Sequence, residues 1–315
     1  MIFFGTSAFA VPTLEQVAAS AHPVVLCVTQ PDRPQGRGLE VAASPVKHAA
    51  LQLNLPLAQP VRVDVEPLTS FQPDVGVVAA YGQLIPRSLL ELPKHGMLGV
   101  HPSLLPKYRG AAPVAWAIRN GESVTGVTIF RLNEQLDAGA MLLQQAVPID
   151  PTEDAEQLTG RLAHFGATLL VRALDLLAAG RPTWTPQDAA QATLAPKFTK
   201  GDGQIDWRQS AETITRLVRA TVPWPGATTH WQGSPLKIWN ALPVPSVPAT
   251  VVAGTVVRVD ATAIAVAAGQ GVVEIREVQP PGRRRMSVKE FLAGHPVRAG
   301  ERFGNDTQQA TTNKK

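Results

Sequence analysis

A chain of 315 residues with 44% hydrophobic and 17% charged residues is long enough for about two domains and too apolar for wholesale disorder. No apolar run approaches the ~18–20 residues of a bilayer span, and Ile2 opens an apolar segment with no basic region before it, which argues against membrane insertion and secretion and for a cytoplasmic protein. The formal charge of +4 is uneven: residues 195–315 hold sixteen Lys and Arg against nine Asp and Glu (net +7), residues 1–194 thirteen against sixteen (net −3). A basic half fits either a polyanionic partner or a plain solvated surface.

Short apolar runs at Ile2–Thr6, Val24–Gln30, Val75–Gly82 and Met97–Ser103 read as strands, several of them apolar at consecutive positions, as strands buried on both faces of a parallel sheet are. Helix-length segments such as Val11–Ser20 and Pro45–Leu53 lie between them. That βαβ order predicts an open, doubly wound, mostly parallel sheet, extended by strands at Gly126–Leu132 and Met141–Ile149. Thr152 is placed to cap a helix with Glu153 and Asp154 in its first turn; Leu158, Leu162, Phe165 and Leu169 recur at helical spacing until Gly180 and Pro182 stop it.

Residues 183–204 are polar, carry Pro186 and Pro196, and show no period. The resulting division is a catalytic domain over 1–188, a linker over 189–204 and a second domain over 205–315. Ser210 caps a short helix with Ile214, Leu217 and Val218 on one face and Arg216 and Arg219 on another. Runs at Ala227–Trp231, Leu236–Asn240, Gly254–Val259, Ala263–Ala267 and Val272–Val278 then predict a small OB-like β-barrel, with Asn305–Lys315 as a frayed tail.

The single cysteine, Cys27, sits in the apolar run 24–28 and reads as a buried structural thiol, which leaves no internal disulfide and no cysteine-built metal site. The seven histidines show no metal spacing, and no metal is expected. The segment after the first strand, Phe4-Gly5-Thr6-Ser7, lacks the spacing of a dinucleotide loop, and no Gly-x-Ser-x-Gly elbow is present. The stretch from Val100 to Pro113 follows a strand directly, so it emerges at the carboxyl edge of the sheet, where open α/β folds bind ligands. His101 there is either a proton-handling imidazole or a turn residue beside prolines. Asp137, in Leu136-Asp137-Ala138-Gly139, is either its acid partner or a plain Asp-x-Gly turn.

Taken together these segments resemble the 10-formyltetrahydrofolate-dependent formyltransferase family. The pattern runs through Phe3-Phe4-Gly5-Thr6, Gln30-Pro31-Asp32-Arg33-Pro34 with Gly36-Arg37-Gly38, Ser44-Pro45-Val46-Lys47, Ala80-Tyr81-Gly82-Gln83, His101–Pro113, Gly126-Val127-Thr128 and Leu136-Asp137-x-Gly139. It continues through Asp206-Trp207, Arg219-Ala220, Pro223-Trp224-Pro225-Gly226 and Gln279-Pro280-Pro281-Gly282, and so spans residues 2 to about 303.

The resemblance implies direct transfer of a formyl group from 10-formyltetrahydrofolate to an amine, with initiator methionyl-tRNA as acceptor and a monomeric enzyme as catalyst. His101 then stabilises the oxyanion and shuttles protons, and Asp137 orients it. Ser103, Leu104, Leu105 and Pro106, with Tyr81 and Gly82, line the folate pocket. Arg33, Arg37 and Lys47, around a Gly-rich insertion after the second strand, then contact tRNA; separately, the net +7 of the second half offers Lys197, Arg216 and Arg219 as phosphate contacts. One position departs from the pattern: the family has Asn where Gly99 stands, and loss of an oxyanion donor of that kind costs ~10²–10³ in rate. The departure leaves open a folate- or tRNA-binding homologue impaired in catalysis; a sugar-nucleotide N-formyltransferase is the rival within the enzyme class.

Overall fold

The computed structural model describes residues 1–35, 40–244 and 251–304. Arg37 and the Asn305–Lys315 tail lie outside the described residues. Two compact units divide them. The first comprises Met1–Val114, Ser123–Ile149 and Gln157–Pro196, the second Ala115–Glu122, Asp150–Glu156 and Lys197 onward.

The first unit begins with β1 (Ile2–Gly5), α1 (Val11–Ala18), β2 (Leu26–Val28), β3 (Arg33–Gln35), β4 (Glu40–Ala42), α2 (Pro45–Gln52) and β5 (Leu57–Ala58). It continues with β6 (Gly76–Ala79), α3 (Arg87–Leu90), β7 (Met97–His101), α4 (Pro113–Arg119), β8 (Val124–Arg131), β9 (Met141–Pro148) and α5 (Ala155–Ala178), the two last helices crossing the division between units. The sheet order is β5-β2-β1-β6-β7-β8-β9. The pairs from β5 to β7 are parallel, and β7–β8 and β8–β9 are antiparallel. The open, mostly parallel sheet expected from the alternation of apolar runs is present. β1 and β7 are buried at every position, the signature of strands covered on both faces.

Two local expectations shift. α5 starts at Ala155, not just after Thr152, because the Thr152 hydroxyl and backbone N–H both donate to Asp150 Oδ1, at 2.6 and 2.7 Å. Glu153 and Asp154 therefore precede the helix. The segment after β2 contributes a two-stranded ribbon, β3–β4, that apolar periodicity could not announce.

The strand order reverses at β1: the chain leaves it toward β2 and β5, then crosses to β6 and β7 on the other side. Such a switch point opens a crevice at the carboxyl ends of the strands. The loops after β1 and β6 meet there, with Thr6 Oγ donating to the Tyr81 carbonyl at 2.8 Å and Gln30 Nε2 to the same carbonyl at 2.7 Å.

The second unit holds α6 (Ala211–Ala220), β10 (Ala227–Trp231), β11 (Ser234–Val244), β12 (Val256–Val259), β13 (Ile264–Ala267), β14 (Val272–Gln279), β15 (Met286–Ser287) and α7 (Val288–Gly294). All the strand pairs are antiparallel, in the order β10-β11-β14-β13-β12 with β15 on β14. Segment 302–303 bridges the two edge strands' ends, Phe303 with Trp231 and Arg302 with Thr255, and curls the sheet toward a barrel without a continuous ladder closing it. Ser210 caps α6 at Thr213 N–H, and its apolar face joins Trp207, Ile238, Val273 and Phe291 in one core.

Candidate active site

β7 ends on His101, whose ring is buried at 6% exposure and packs edge-on to Phe130. Nε2 lies 2.8 Å from the Tyr108 carbonyl. A carbonyl only accepts, so Nε2 carries a proton, and Nδ1 is left as the atom that gains or loses one. Nδ1 faces Asp137 Oδ2 at 3.7 Å, an ion pair when the ring is protonated and too long for a hydrogen bond. The expected imidazole and carboxylate are thus brought together. The group that holds the ring by a hydrogen bond is the Tyr108 carbonyl, however, a backbone contact with no side-chain signature in the sequence.

Asp137 reaches His101 by an indirect path. His101 pairs with Thr128 across the β7–β8 ladder, whereas Arg131, the last residue of β8, pairs with Leu98. The β8–β9 connection therefore starts at the far end of β7 and folds back about three residues, roughly 10 Å, to present its carboxylate. Asp137 takes the left-handed conformation, φ +48°, and Gly110 N–H donates to its Oδ2 at 2.8 Å.

The loop 103–106 is held by one buried hydroxyl. Thr128 Oγ donates to the Ser103 carbonyl at 2.7 Å and accepts from Leu105 N–H at 3.1 Å and Gln144 Nε2 at 2.9 Å; Gln144 also donates to the Leu105 carbonyl at 2.7 Å. The Leu105–Pro106 peptide is cis. Ser103 is fully buried and its hydroxyl donates to the Lys107 carbonyl at 2.6 Å, so it shapes the loop from within, while Leu104 and Pro106 remain partly accessible. Tyr81 is also interior: its ring packs in the core against Phe4, and only its carbonyl works at the crevice, beside the exposed Gly82. Leu84, on the same loop, is a large apolar side chain left 89% exposed, which strand patterning did not single out.

Gly99 is fully enclosed. A Cβ there would lie 2.4 Å from Phe130 Cε1 and 2.7 Å from Leu132 Cδ1. The space of a side chain at this position is filled by the cross-strand aromatic ring, Gly99 and Phe130 being register partners.

Among the cations, Arg33 is exposed on β3. Lys47 donates to Asp32 Oδ2 at 2.6 Å, and that hydrogen bond, with a second from Gln59, holds the Asp32 carboxyl below the usual carboxylate range. In the second unit Lys197 is exposed. Arg216 and Arg219 are half-buried. Arg219 donates to the Glu153 carbonyl at 2.9 Å, and burial, with Arg216 nearby, moves its guanidinium below the ordinary arginine value. Arg216 donates to Thr213 Oγ at 3.2 Å and packs against Gly121. Among the described residues no group of three His, Cys, Asp or Glu is placed to hold a metal ion, and no helix is long and apolar enough to cross a membrane.

The fold is that of a two-unit α/β protein with a His–Asp pair at the edge of the sheet in its first unit. Comparison with known proteins makes the class specific. A family profile described as formyl transferase matches residues 1–174, and one described as formyl transferase, C-terminal domain, matches residues 197–296. The chain belongs to the formyl transferase family.

It is 47% identical over 308 residues to the methionyl-tRNA formyltransferase of Solibacter usitatus, covering 96% of this chain and 98% of that one. The methionyl-tRNA formyltransferase of Roseiflexus is 45% identical over 310 residues, covering 97% and 95%. Among solved structures, the N-formyltransferase from Helicobacter canadensis in complex with folinic acid and dTDP-3-aminofucose superposes with a TM-score of 0.67 at 16% identity, over 89% of this chain and 100% of that one. HypX from Aquifex aeolicus in complex with tetrahydrofolic acid gives 0.62 at 19% identity, over 92% of this chain and 46% of that one. Both show the fold.

Proposed function

We propose that the protein transfers the formyl group of 10-formyltetrahydrofolate to the α-amine of methionyl initiator tRNA, as a monomer in the cytoplasm. The observation that carries the reading is the approach of partly buried Asp137 to buried His101 at the end of β7, Nδ1 to Oδ2 3.7 Å, in a chain 47% identical to an enzyme named for this reaction.

His101 Nδ1 takes a proton from the amine as the amine attacks the formyl carbon. The resulting imidazolium is stabilised by the Asp137 carboxylate and steadied through Nε2–H by the Tyr108 carbonyl. The protonated ring then serves the oxygen on which charge accumulates and returns a proton to the departing folate nitrogen. Leu104, Pro106, Gly82 and Leu84 form the accessible wall against which the folate lies; Ser103, Leu105 and Tyr81 support it from behind. Burial of His101 keeps bulk water from competing for the formyl carbon.

Exposed Arg33 in the first unit and exposed Lys197 in the second each supply a direct phosphate contact, and Arg37 is a further cation for the tRNA. Arg216 and Arg219 contribute positive potential from their partly buried positions.

The test is a transfer assay with radiolabelled 10-formyltetrahydrofolate against methionyl initiator tRNA, methionyl elongator tRNA and a nucleotide-linked aminosugar. Label on initiator tRNA alone supports the reading. Label on the aminosugar alone moves the acceptor to a sugar nucleotide. Binding of tRNA without transfer makes the chain a non-catalytic homologue.

A further inference from the structure

The segment between α5 and the second unit carries no apolar period and reads as a spacer, yet at Thr185, Gln187, Thr193 and Ala195 it is hydrogen-bonded to the start of β9 and to the loops that follow β7 and β8. Thr185 exchanges both backbone hydrogen bonds with Met141, each 2.8 Å. Thr193 accepts from Tyr108 N–H on its Oγ at 2.8 Å and from Arg109 N–H on its carbonyl at 2.8 Å, and Ala195 N–H donates to the Arg109 carbonyl at 2.7 Å. Gly110, at φ +125°, passes so close to this strap that a Cβ would lie 2.7 Å from the Ala195 carbonyl.

Within the strap, Gln187 uses its whole amide. Oε1 accepts from Arg109 Nε at 3.0 Å and Nη2 at 2.7 Å, and Nε2 donates to the carbonyls of Asp137 and Gly139, both at 2.8 Å. One side chain therefore ties the loop whose Tyr108 carbonyl steadies His101 to the loop that carries Asp137. The second loop needs such a tie. It folds back along β7 from its far end, and Asp137 sits in a left-handed conformation that a residue with a Cβ keeps only where its surroundings hold it. The Gly110 N–H bond to Oδ2 fixes the carboxylate only as well as the two loops are fixed to each other.

We propose that Gln187 is a positioning residue for formyl transfer, setting the distance between the Asp137 carboxylate and the His101 ring by bracing their two loops. The inference rests on the reading of His101 and Asp137 as the reacting pair. Gln187 touches neither substrate nor ring.

Gln187→Met keeps length and removes all four hydrogen bonds. Gln187→Glu keeps the acceptor for Arg109 but turns a carboxylate on the Asp137 and Gly139 carbonyls. Misplacement of a catalytic group by about 1 Å costs on the order of 10²-fold. In Gln187→Met, kcat is expected to fall by about that factor with KM for the folate donor within about threefold of the parent, and the His101 ring nitrogen resonances should move toward those of Asp137→Ala. Gln187→Glu should behave like Gln187→Met, because the bonds to the Asp137 loop are the ones that matter.

Thermal unfolding of each variant reports folding, and kinetics are read at a temperature where all are folded. His101→Ala measured alongside separates the two readings. If His101→Ala is inactive while Gln187→Met keeps the parent kcat and the parent resonances, the brace is refuted and the pair stands. If His101→Ala keeps parent activity, the pair itself is refuted. A Gln187→Met variant that loses only folate affinity also overturns the proposal.

Discussion

Gly99 and Phe130 face each other across the β7–β8 ladder, and the Phe130 ring occupies the volume that any side chain at 99 would need, with Cε1 only 2.4 Å from a Cβ built there. A glycine under a cross-strand aromatic ring is a coupled pair: neither position can change alone. Gly99→Asn by itself is therefore expected to overpack a buried site and to lower stability by about 1–3 kcal/mol with no gain in turnover. Adding Phe130→Leu removes the Cε1 and Cζ atoms and leaves Leu132 Cδ1, 2.7 Å from the same Cβ, as the one close contact that a side-chain shift must relieve. The double variant should recover stability and raise kcat by at least about tenfold, because a donor beside the formyl oxygen typically contributes ~10²–10³. Turnover of the double variant no faster than the parent's would show that another donor already serves that oxygen.

Thr128 is the hub of the 103–106 loop, with three hydrogen bonds on one hydroxyl and no exposed surface. Thr128→Val keeps the shape and leaves the Leu105 N–H and the Ser103 carbonyl without this partner, at roughly 1–3 kcal/mol for each buried group left unpaired. The 103–106 loop, the proposed folate wall, is expected to loosen while His101 stays on its strand. Steady-state kinetics should show KM for the folate donor rising more than kcat falls.

Cys27 and Tyr81 are pushed up by burial, each to about 12, from ordinary values of 9.0 and 10.0. Both groups are neutral in folded and unfolded chains below about pH 8. Above that the unfolded chain loses these protons first, so stability is complete at neutral pH and declines as pH rises from about 9 to about 12. Urea midpoints measured across that window should fall with pH, and Cys27→Ala with Tyr81→Phe should flatten the decline. The Tyr81 hydroxyl is buried and has no hydrogen-bond partner among the described residues. Tyr81→Phe alone is expected to leave stability at pH 7 unchanged or higher by about 1 kcal/mol.

Lys197 and Arg219 should separate on tRNA binding. Lys197 is exposed, and Lys197→Ala is expected to weaken binding and reduce the salt dependence of log K by about one phosphate contact. Arg219 donates to the Glu153 carbonyl from a half-buried position, so Arg219→Ala should lower the stability of the second unit by about 1–3 kcal/mol in addition to any effect on tRNA. Filter binding over a salt series, paired with thermal unfolding, reads both.

Much of this architecture is legible as local chemistry. β1 and β7 are apolar at consecutive positions because both faces are covered, and Ser210 announces α6 by capping Thr213 N–H. His101 and Asp137 were found as motif residues, and their meeting is now a distance. What composition and period could not reveal is contact made by backbone or across long sequence separation. The Tyr108 carbonyl steadies the imidazole with no side-chain trace. Gln187 acts 50 residues from Asp137 through carbonyls alone. Ser103 and Tyr81 carry family motifs yet face inward, because the loops at a sheet edge need their own core before they can present a pocket. Gly99 was visible as a departure, but its cause, a ring on the neighbouring strand, required the register.

The central claim is that His101 and Asp137 act together on the formyl group. The most direct measurement is single-turnover formylation of methionyl initiator tRNA by saturating enzyme loaded with 10-formyltetrahydrofolate, comparing the parent with His101→Ala, Asp137→Asn and the double variant. The account predicts transfer by the parent, a loss of about 10²–10⁴-fold in each single variant, and a double variant little worse than either, because residues that act as a unit are not additive. Singles that keep the parent rate, or losses that multiply in the double variant, would contradict it.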